Sequence, residues 1–319
     1  MPNPRLGYLL TAASAACSAL NGSLARYLLD DGLSPVRLSQ LRSAVAFALL
    51  LIGLALFSPR RLRIARADVL PMAWLGIAGI ALVHASYFAA IERLDIGVAL
   101  VIQYLAPALL LIWLRVVHRR HVAPSLWAAV ALSITGCALV VDAFSGFRNL
   151  DAIGVAAAFA GAVTLAIYLI ASERAGRRYD AFTTLTWGFG FATLFWLVVA
   201  PAWTFPWALL GSARHLALAL GVATIGTLIP FLLLVTALRH LPAARVAVVA
   251  MLEPVLGALI AWVLHDQALA ASQILGGVIV VIAIGWVQTH RPTTEESLGS
   301  LQEWTSSSPE GTARSPAAS

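Results

Sequence analysis

Apolar stretches of about 20 residues follow one another from Leu6 almost to Gln288, separated only by short polar breaks. No other feature constrains the fold as tightly. A hydrocarbon layer about 30 Å thick is crossed by roughly 20 apolar residues in helical form, and inside it every backbone N–H and C=O must be satisfied within the segment or in a closed barrel. Ten stretches qualify, at roughly 6–27, 36–57, 70–91, 97–117, 125–142, 153–172, 182–200, 215–236, 243–264 and 272–288. A transmembrane barrel would show alternating strands of about ten residues, whereas these runs are continuous and rich in Leu, Ala, Val and Gly. Composition agrees: 60% of residues are hydrophobic, 11% are charged and the mean hydropathy is +0.86, against about 25% charged in a soluble domain. The sequence therefore predicts an all-α membrane protein.

The net charge of +6 comes entirely from arginine, and the arginines are spaced between apolar runs, so they read as topology signals and not as a nucleic-acid footprint. Arg60, Arg61, Arg63 and Arg66 follow the second stretch, Arg115, Arg119 and Arg120 the fourth, and Arg174, Arg177 and Arg178 the sixth; Arg239 and Arg245 flank the turn after the eighth. In the intervening connections Arg26, Arg93 and Arg148 are offset by nearby acids. Basic connections stay cytoplasmic, which predicts ten spans in the cell membrane with both termini in the cytoplasm. Arg5 ahead of an apolar run has the look of a signal peptide, but no cleavage site interrupts the run before Tyr27, so it reads as a first span. Residues 292–319 are rich in Ser, Thr, Pro and Glu and are expected to form a disordered cytoplasmic tail. Cys17 and Cys137 both lie within apolar runs and read as packing residues, with neither a disulfide nor a metal set implied.

A shift of 147 residues places Pro107 on Pro254, Leu105 on Leu252, Leu94 on Leu241 and Ala90 on Ala237, and at the far end of the unit Gly7 on Gly154 and Gly79 on Gly226. One ungapped offset that maps span boundaries onto span boundaries indicates a duplicated five-span unit, 6–142 and 153–288. Five is odd, so the second copy enters the bilayer from the opposite side. That predicts two inverted five-helix repeats, with a substrate site near the midplane between them.

The segments "ASYFAAIERLDIGVALVIQYLAPALLLIW" and "FLLLVTALRHLPAARVAVVAMLEPVLGALIAW" resemble the two hallmark segments of EamA-type proteins of the drug/metabolite transporter superfamily. The resemblance runs from about Leu6 to Gln288. It implies ten helices in two inverted repeats, and export of amino acids, other metabolites or toxic amphiphiles. Pro107 matches in the fourth helix, and the pair Glu253 and Pro254 matches in the ninth; Ala106 stands where the second repeat has Glu253, so the carboxylate acts once per chain.

Glu253 has no opposite charge near it in sequence, and a bare charge at that depth costs at least about 2.5 kcal/mol. Pro254 lacks an amide hydrogen and opposes the carbonyl of Ala250, which predicts a kink. Two roles stay open for Glu253: a hydrogen bond that pins the kink, which most polar groups in membrane bundles favour, or proton coupling. Thr11, Ser14, Ser18 and Asn21 share one face of the first span, and the offset projects Asn21 onto Tyr168. The serines read as small packing residues, and Asn21 and Tyr168 as candidates to line a pocket. His84 and Tyr87 share a face of the third span, and Gln103 lies beside Tyr104 in the fourth; the resemblance assigns the latter two to a central cavity. Arg42, a turn or two inside the second span, either attracts an anionic group or snorkels to the headgroups. Trp187 reads as interfacial.

These readings predict a secondary carrier of small organic solutes, with membrane lipids as its surroundings and no cofactor or metal. His-Glu-x-x-His and Gly-x-Ser-x-Gly motifs are absent, as are Gly-rich phosphate loops. Two alternatives are a membrane enzyme acting on lipid-soluble substrates, and a sugar-phosphate or nucleotide-sugar exchanger, which would need basic residues in the pocket in a chain that has no lysine.

Overall fold

The computed structural model describes residues 2–146, 150–265 and 269–289; the tail 292–319 lies outside the described residues. Ten helical rods account for nearly all of these: α1 (Pro4–Asp30), α2 (Pro35–Phe57), α3 (Arg66–Ile91), α4 (Ile96–Gln103 and Ala106–Val116), α5 (Pro124–Val140), α6 (Ala152–Gly176), α7 (Ala181–Val199), α8 (Ala213–Ala237), α9 (Ala243–Ala250 and Glu253–His265) and α10 (Ala271–Thr289). No strand occurs among the described residues. Eight rods are long and apolar enough to cross a bilayer. Of the other two, α5 is shorter, at 17 residues, and α1, at 27 residues, is diluted by the polar face from Thr11 to Asn21.

The rods start where short polar side chains can satisfy free N–H groups. Asn3, Ser34, Asp151, Asp180 and Ser212 each accept a hydrogen bond from a backbone amide in the first turn of the helix they precede, as N-caps do. Proline at the first position of α1, α2 and α5 removes one of those free donors. Large apolar side chains point outward along the rods, with Val198 76%, Leu56 72% and Leu70 77% exposed. Such a surface suits lipid and not water.

The 147-residue shift relates contacts as well as residues. A Cβ on Gly7 of α1 would strike Leu241 and His240, and one on Gly154 of α6 would strike Leu94 and Arg93, which are their images. A Cβ on Gly226 would collide with Asn21, and one on Gly79 with Tyr168, again images of one another. Both of these glycines lie in wide π turns, Leu75–Ala81 in α3 and Thr224–Leu228 in α8. Thus α1 packs against α8 and α9, and α6 against α3 and α4, while α2 crosses its image α7 and α5 its image α10.

The connections gather at two ends. At one, the Asn3 amide donates to His240 Nδ1 (3.3 Å), Arg178 pairs with Asp68 (2.8 Å), Tyr179 donates to Asp68 (2.6 Å), and Trp187 Nε1 donates to the Leu62 carbonyl (3.1 Å). Burial first, and Arg239 next, hold His240 below the ordinary histidine value, which suits its role as acceptor. At the other end His215 meets Asp31 (2.9 Å), Arg37 donates to the Ala200 carbonyl (2.9 Å), and Arg93 lies 4.0 Å from Asp151. Trp187 is therefore anchored beside a connection, as an interfacial tryptophan would be.

Candidate functional site

Both α4 and α9 break in mid-course, and at equivalent points. The Leu105 amide donates to the Ile102 carbonyl (3.1 Å) and the Leu252 amide to the Val249 carbonyl (3.0 Å), a tightening from four-residue to three-residue bonds. Pro107 and Pro254 follow two residues later, and neither has an N–H for the carbonyl four residues back, on Gln103 and Ala250 respectively. The kink expected at Pro254 is thus a full interruption at Met251 and Leu252. Cys137 of α5 fills part of the gap by directing its Sγ at the Met251 carbonyl (3.5 Å).

Glu253 is the first residue of the second half of α9. Its carboxyl group therefore sits at a helix N-terminus, where unpaired amides and the helix dipole favour negative charge. Arg42, Tyr87, Tyr104 and Cys137 all lie within its electrostatic reach. The Glu253 side chain makes no hydrogen bond to another described residue, so nothing among them pins it in the way the first of its two expected roles requires.

Arg42 does not snorkel. It is 9% exposed, and its Nε donates to Thr227 Oγ1 (2.9 Å). Thr227 in turn donates to the Val222 carbonyl (2.8 Å), five residues back, a bond that the π turn of α8 makes available. His84 directs Nδ1 at the Ile80 carbonyl (2.8 Å) in the matching π turn of α3; since a carbonyl only accepts, Nδ1 carries the hydrogen. The two wide turns therefore orient the arginine and the histidine.

Asn21, His84, Tyr87, Gln103, Tyr104, Glu253 and Pro254 are each half-buried although they lie midway along the bundle. These residues come from α1, α3, α4 and α9, and their partial exposure is what a crevice between those helices would give. Gln103 also packs near Gly161 of α6, beside Ser86. Tyr168 lies elsewhere: it is buried and packs its ring, tilted, against Phe231 (5.4 Å between ring centres), which packs likewise against Phe189 (5.3 Å). Pro107 is buried. Ser14 is a buried packing residue that donates to the Pro230 carbonyl (2.7 Å).

The 147-residue relation gives this division its meaning. The images of Asn21, Arg42 and His84 are Tyr168, Phe189 and Phe231, so the polar set on one side of the pseudo-symmetry is a packed aromatic set on the other. With Ala106 opposite Glu253, the cation and the carboxyl group have no counterparts at the image positions, where Ala106, Tyr168 and Phe189 are buried. Such a site can hold both poles of a small zwitterion. Among the described residues no three metal-ligating side chains converge.

Thr227 was not singled out in the sequence, and Cys137 was read as packing alone. A polar residue directly after a glycine whose image is also a glycine is the signal that would have found Thr227; for Cys137 the sequence carries none.

The profile of the EamA-like transporter family matches residues 5–142 and again residues 152–289. The chain is 24% identical over 246 residues to the threonine/homoserine exporter RhtA of Escherichia coli K12, covering 76% of this chain and 79% of that one. Against the exporter of the same name from Salmonella typhimurium SL1344 it is 24% identical over 236 residues, covering 73% and 76%. An uncharacterized transporter of Archaeoglobus fulgidus is 24% identical over 208 residues, covering 63% and 71%. A solved crystal structure superposes with a TM-score of 0.73 at 18% identity, covering 90% of this chain and 96% of that one, which supports the fold. With both halves matched across most of its length, the chain belongs to the EamA-like transporter family.

Proposed function

We propose that the protein is a secondary carrier that exports small zwitterionic metabolites, amino acids foremost, by alternating access. The observation that carries this reading is the placement of Arg42 and Glu253 in one half-buried, aromatic-walled crevice at the break in α9. Arg42 receives the substrate carboxylate through a charge-assisted bond. Glu253 receives the ammonium group, and Tyr87 and Tyr104 supply the walls, with Asn21, His84 and Gln103 as polar neighbours. The relatives named as threonine/homoserine exporters support the substrate class.

Ten spans arranged as two inverted repeats, 6–142 and 153–288, lie in the cell membrane, with the arginine-rich end and both termini in the cytoplasm. Proton coupling through Glu253 fits a carboxyl group that has no hydrogen-bond partner among the described residues better than a purely structural role does. A phosphate-bearing cargo is disfavoured because the carboxylate would oppose it and Arg42 is the one cation the crevice offers among the described residues. Nothing in the arrangement calls for bond-breaking chemistry, so the reading is of a carrier and not an enzyme.

The test is counterflow in reconstituted vesicles preloaded with unlabelled L-threonine or L-homoserine. Accumulation of the labelled amino acid, with no response to a sugar phosphate, is expected. Turnover of a lipid-soluble substrate without movement of any solute would overturn the reading.

A further inference from the structure

The two ends of the bundle are unequally closed. At the arginine-rich end the first half of α9 is sealed, with no residue from Ala243 to Val249 more than 4% exposed. Glu173 of α6, itself 3% exposed, accepts the Ala243 amide through Oε2 (2.9 Å) while its Oε1 holds Arg177 (2.8 Å). Arg245 donates to the Val287 carbonyl (2.7 Å) and to the Tyr8 hydroxyl (3.1 Å). One carboxylate on α6 thus fastens that helix to the start of α9.

At the opposite end the images of Ala243, Glu173 and Arg177 are exposed, whereas Val98, the image of Arg245, is buried. Ile96, the image of Ala243, is 58% exposed. Glu173 and Arg177 map onto Arg26 and Asp30 of α1, the same couple with its charges reversed. Arg26 and Asp30 lie 3.6 Å apart, with side chains 69% and 68% exposed, and among the described residues they pair only with each other. Asp95 stands immediately before α4 and is exposed; its side chain does not cap the helix. Its image is Pro242, which has no charge and no N–H. Where the carboxylate on α6 meets a backbone amide at one end, the equivalent positions at the other carry a guanidinium on α1 and a carboxylate just before α4.

We propose that Arg26 and Asp95 form an ion pair that latches α1 to the start of α4 when that end of the bundle closes. The conformation described here is then the one open at the Arg26 end and latched by Glu173 at the other. Reversal of charge between the two latches makes each specific to its own end. The proposal rests on the alternating-access reading, but its first readout does not depend on cargo.

The test places cysteines at both positions (Arg26→Cys with Asp95→Cys) in the full chain, with a protease site in the connection at 58–65. Oxidation in native membranes followed by cleavage shows on a gel whether the fragments stay joined. A joined product, absent from each single-cysteine control, is expected; no joined product, or preferential joining of Arg26→Cys to Glu92→Cys, overturns the latch. In vesicles exchanging L-threonine, the oxidised pair should stop exchange and dithiothreitol should restore it. The charge-exchanged double variant (Arg26→Asp with Asp95→Arg) is the second arm. Each single reversal is expected to slow exchange several-fold and the double to recover it, whereas additive losses overturn the pairing. Joining without any threonine exchange in the reduced protein would count against the cargo and leave the latch standing.

Discussion

Arg42 and Thr227 are joined by a 2.9 Å hydrogen bond from the guanidinium Nε to the threonine hydroxyl, across helices α2 and α8. The bond aims a buried cation by means of a wide turn. Replacing Thr227 with Val keeps the shape and removes the acceptor. A hydrogen bond to a charged group contributes about 1.5–3 kcal/mol to stability, which a thermal melt should register, and with Arg42 no longer aimed substrate affinity is expected to fall. Counterflow at a range of substrate concentrations measures it.

Arg42→Lys keeps the charge and loses the planar fork that meets a carboxylate through two N–H groups. Export of an amino acid is expected to weaken strongly, while binding of the corresponding decarboxylated amine changes little. Competition of the two against labelled threonine in vesicles reads the difference. Equal loss for both would place the carboxylate elsewhere.

Glu253→Gln keeps size and hydrogen-bonding capacity but has no proton to release. The amide oxygen still accepts from the ammonium group, so counterflow exchange is expected to persist at raised substrate concentration, with weaker affinity, while movement driven by a pH gradient disappears. Retention of pH-driven movement would return Glu253 to a structural role at the break in α9.

Gly226→Ala pushes a methyl group into Asn21. Overpacking of this kind costs about 1–3 kcal/mol, which a thermal melt in detergent will register. Adding Asn21→Ala removes the two nearest atoms but keeps the Cβ, so it should recover part of the loss, a coupling between contacting residues that a double-mutant cycle isolates. At the image position the added methyl of Gly79→Ala meets the Cα and Cβ of Tyr168, so Tyr168→Ala, which keeps both atoms, should give no such recovery.

Thr204 and Arg63 lie in connections at opposite ends and both are exposed. A cysteine at Thr204 is expected to react with a membrane-impermeant thiol reagent applied to intact cells, and one at Arg63 only after permeabilisation. The reverse pattern would invert the proposed topology.

The helical rods were legible because a bilayer leaves few ways to satisfy a backbone, and the apolar runs fell within a few residues of the observed helices. The duplication was legible because Pro107, Pro254, Gly7 and Gly154 keep one offset. The separation of Asn21 from Tyr168 was not: both occupy the same place in the repeat, and only three-dimensional neighbours show that one lies against Gly226, next to the threonine that holds Arg42, while the other is buried against Phe231. Arg42 was ambiguous for a similar reason. Depth along a helix says how far an arginine must reach for water, and not whether a threonine on another helix meets it first.

The reciprocal seating of Gly7 on Leu241 and of Gly154 on Leu94 also governs the order in which the protein can be made. The surface of α1 belongs to α8 and α9, which leave the ribosome some 200 residues later. At about 5–20 residues per second, the first helix waits in the membrane for on the order of ten seconds or longer before its partner exists. Neither half is complete on its own, so a nascent chain halted after α5 presents an unfilled seat to the quality-control machinery. Two separately synthesised halves would each offer the seat that the first helix of the other fills.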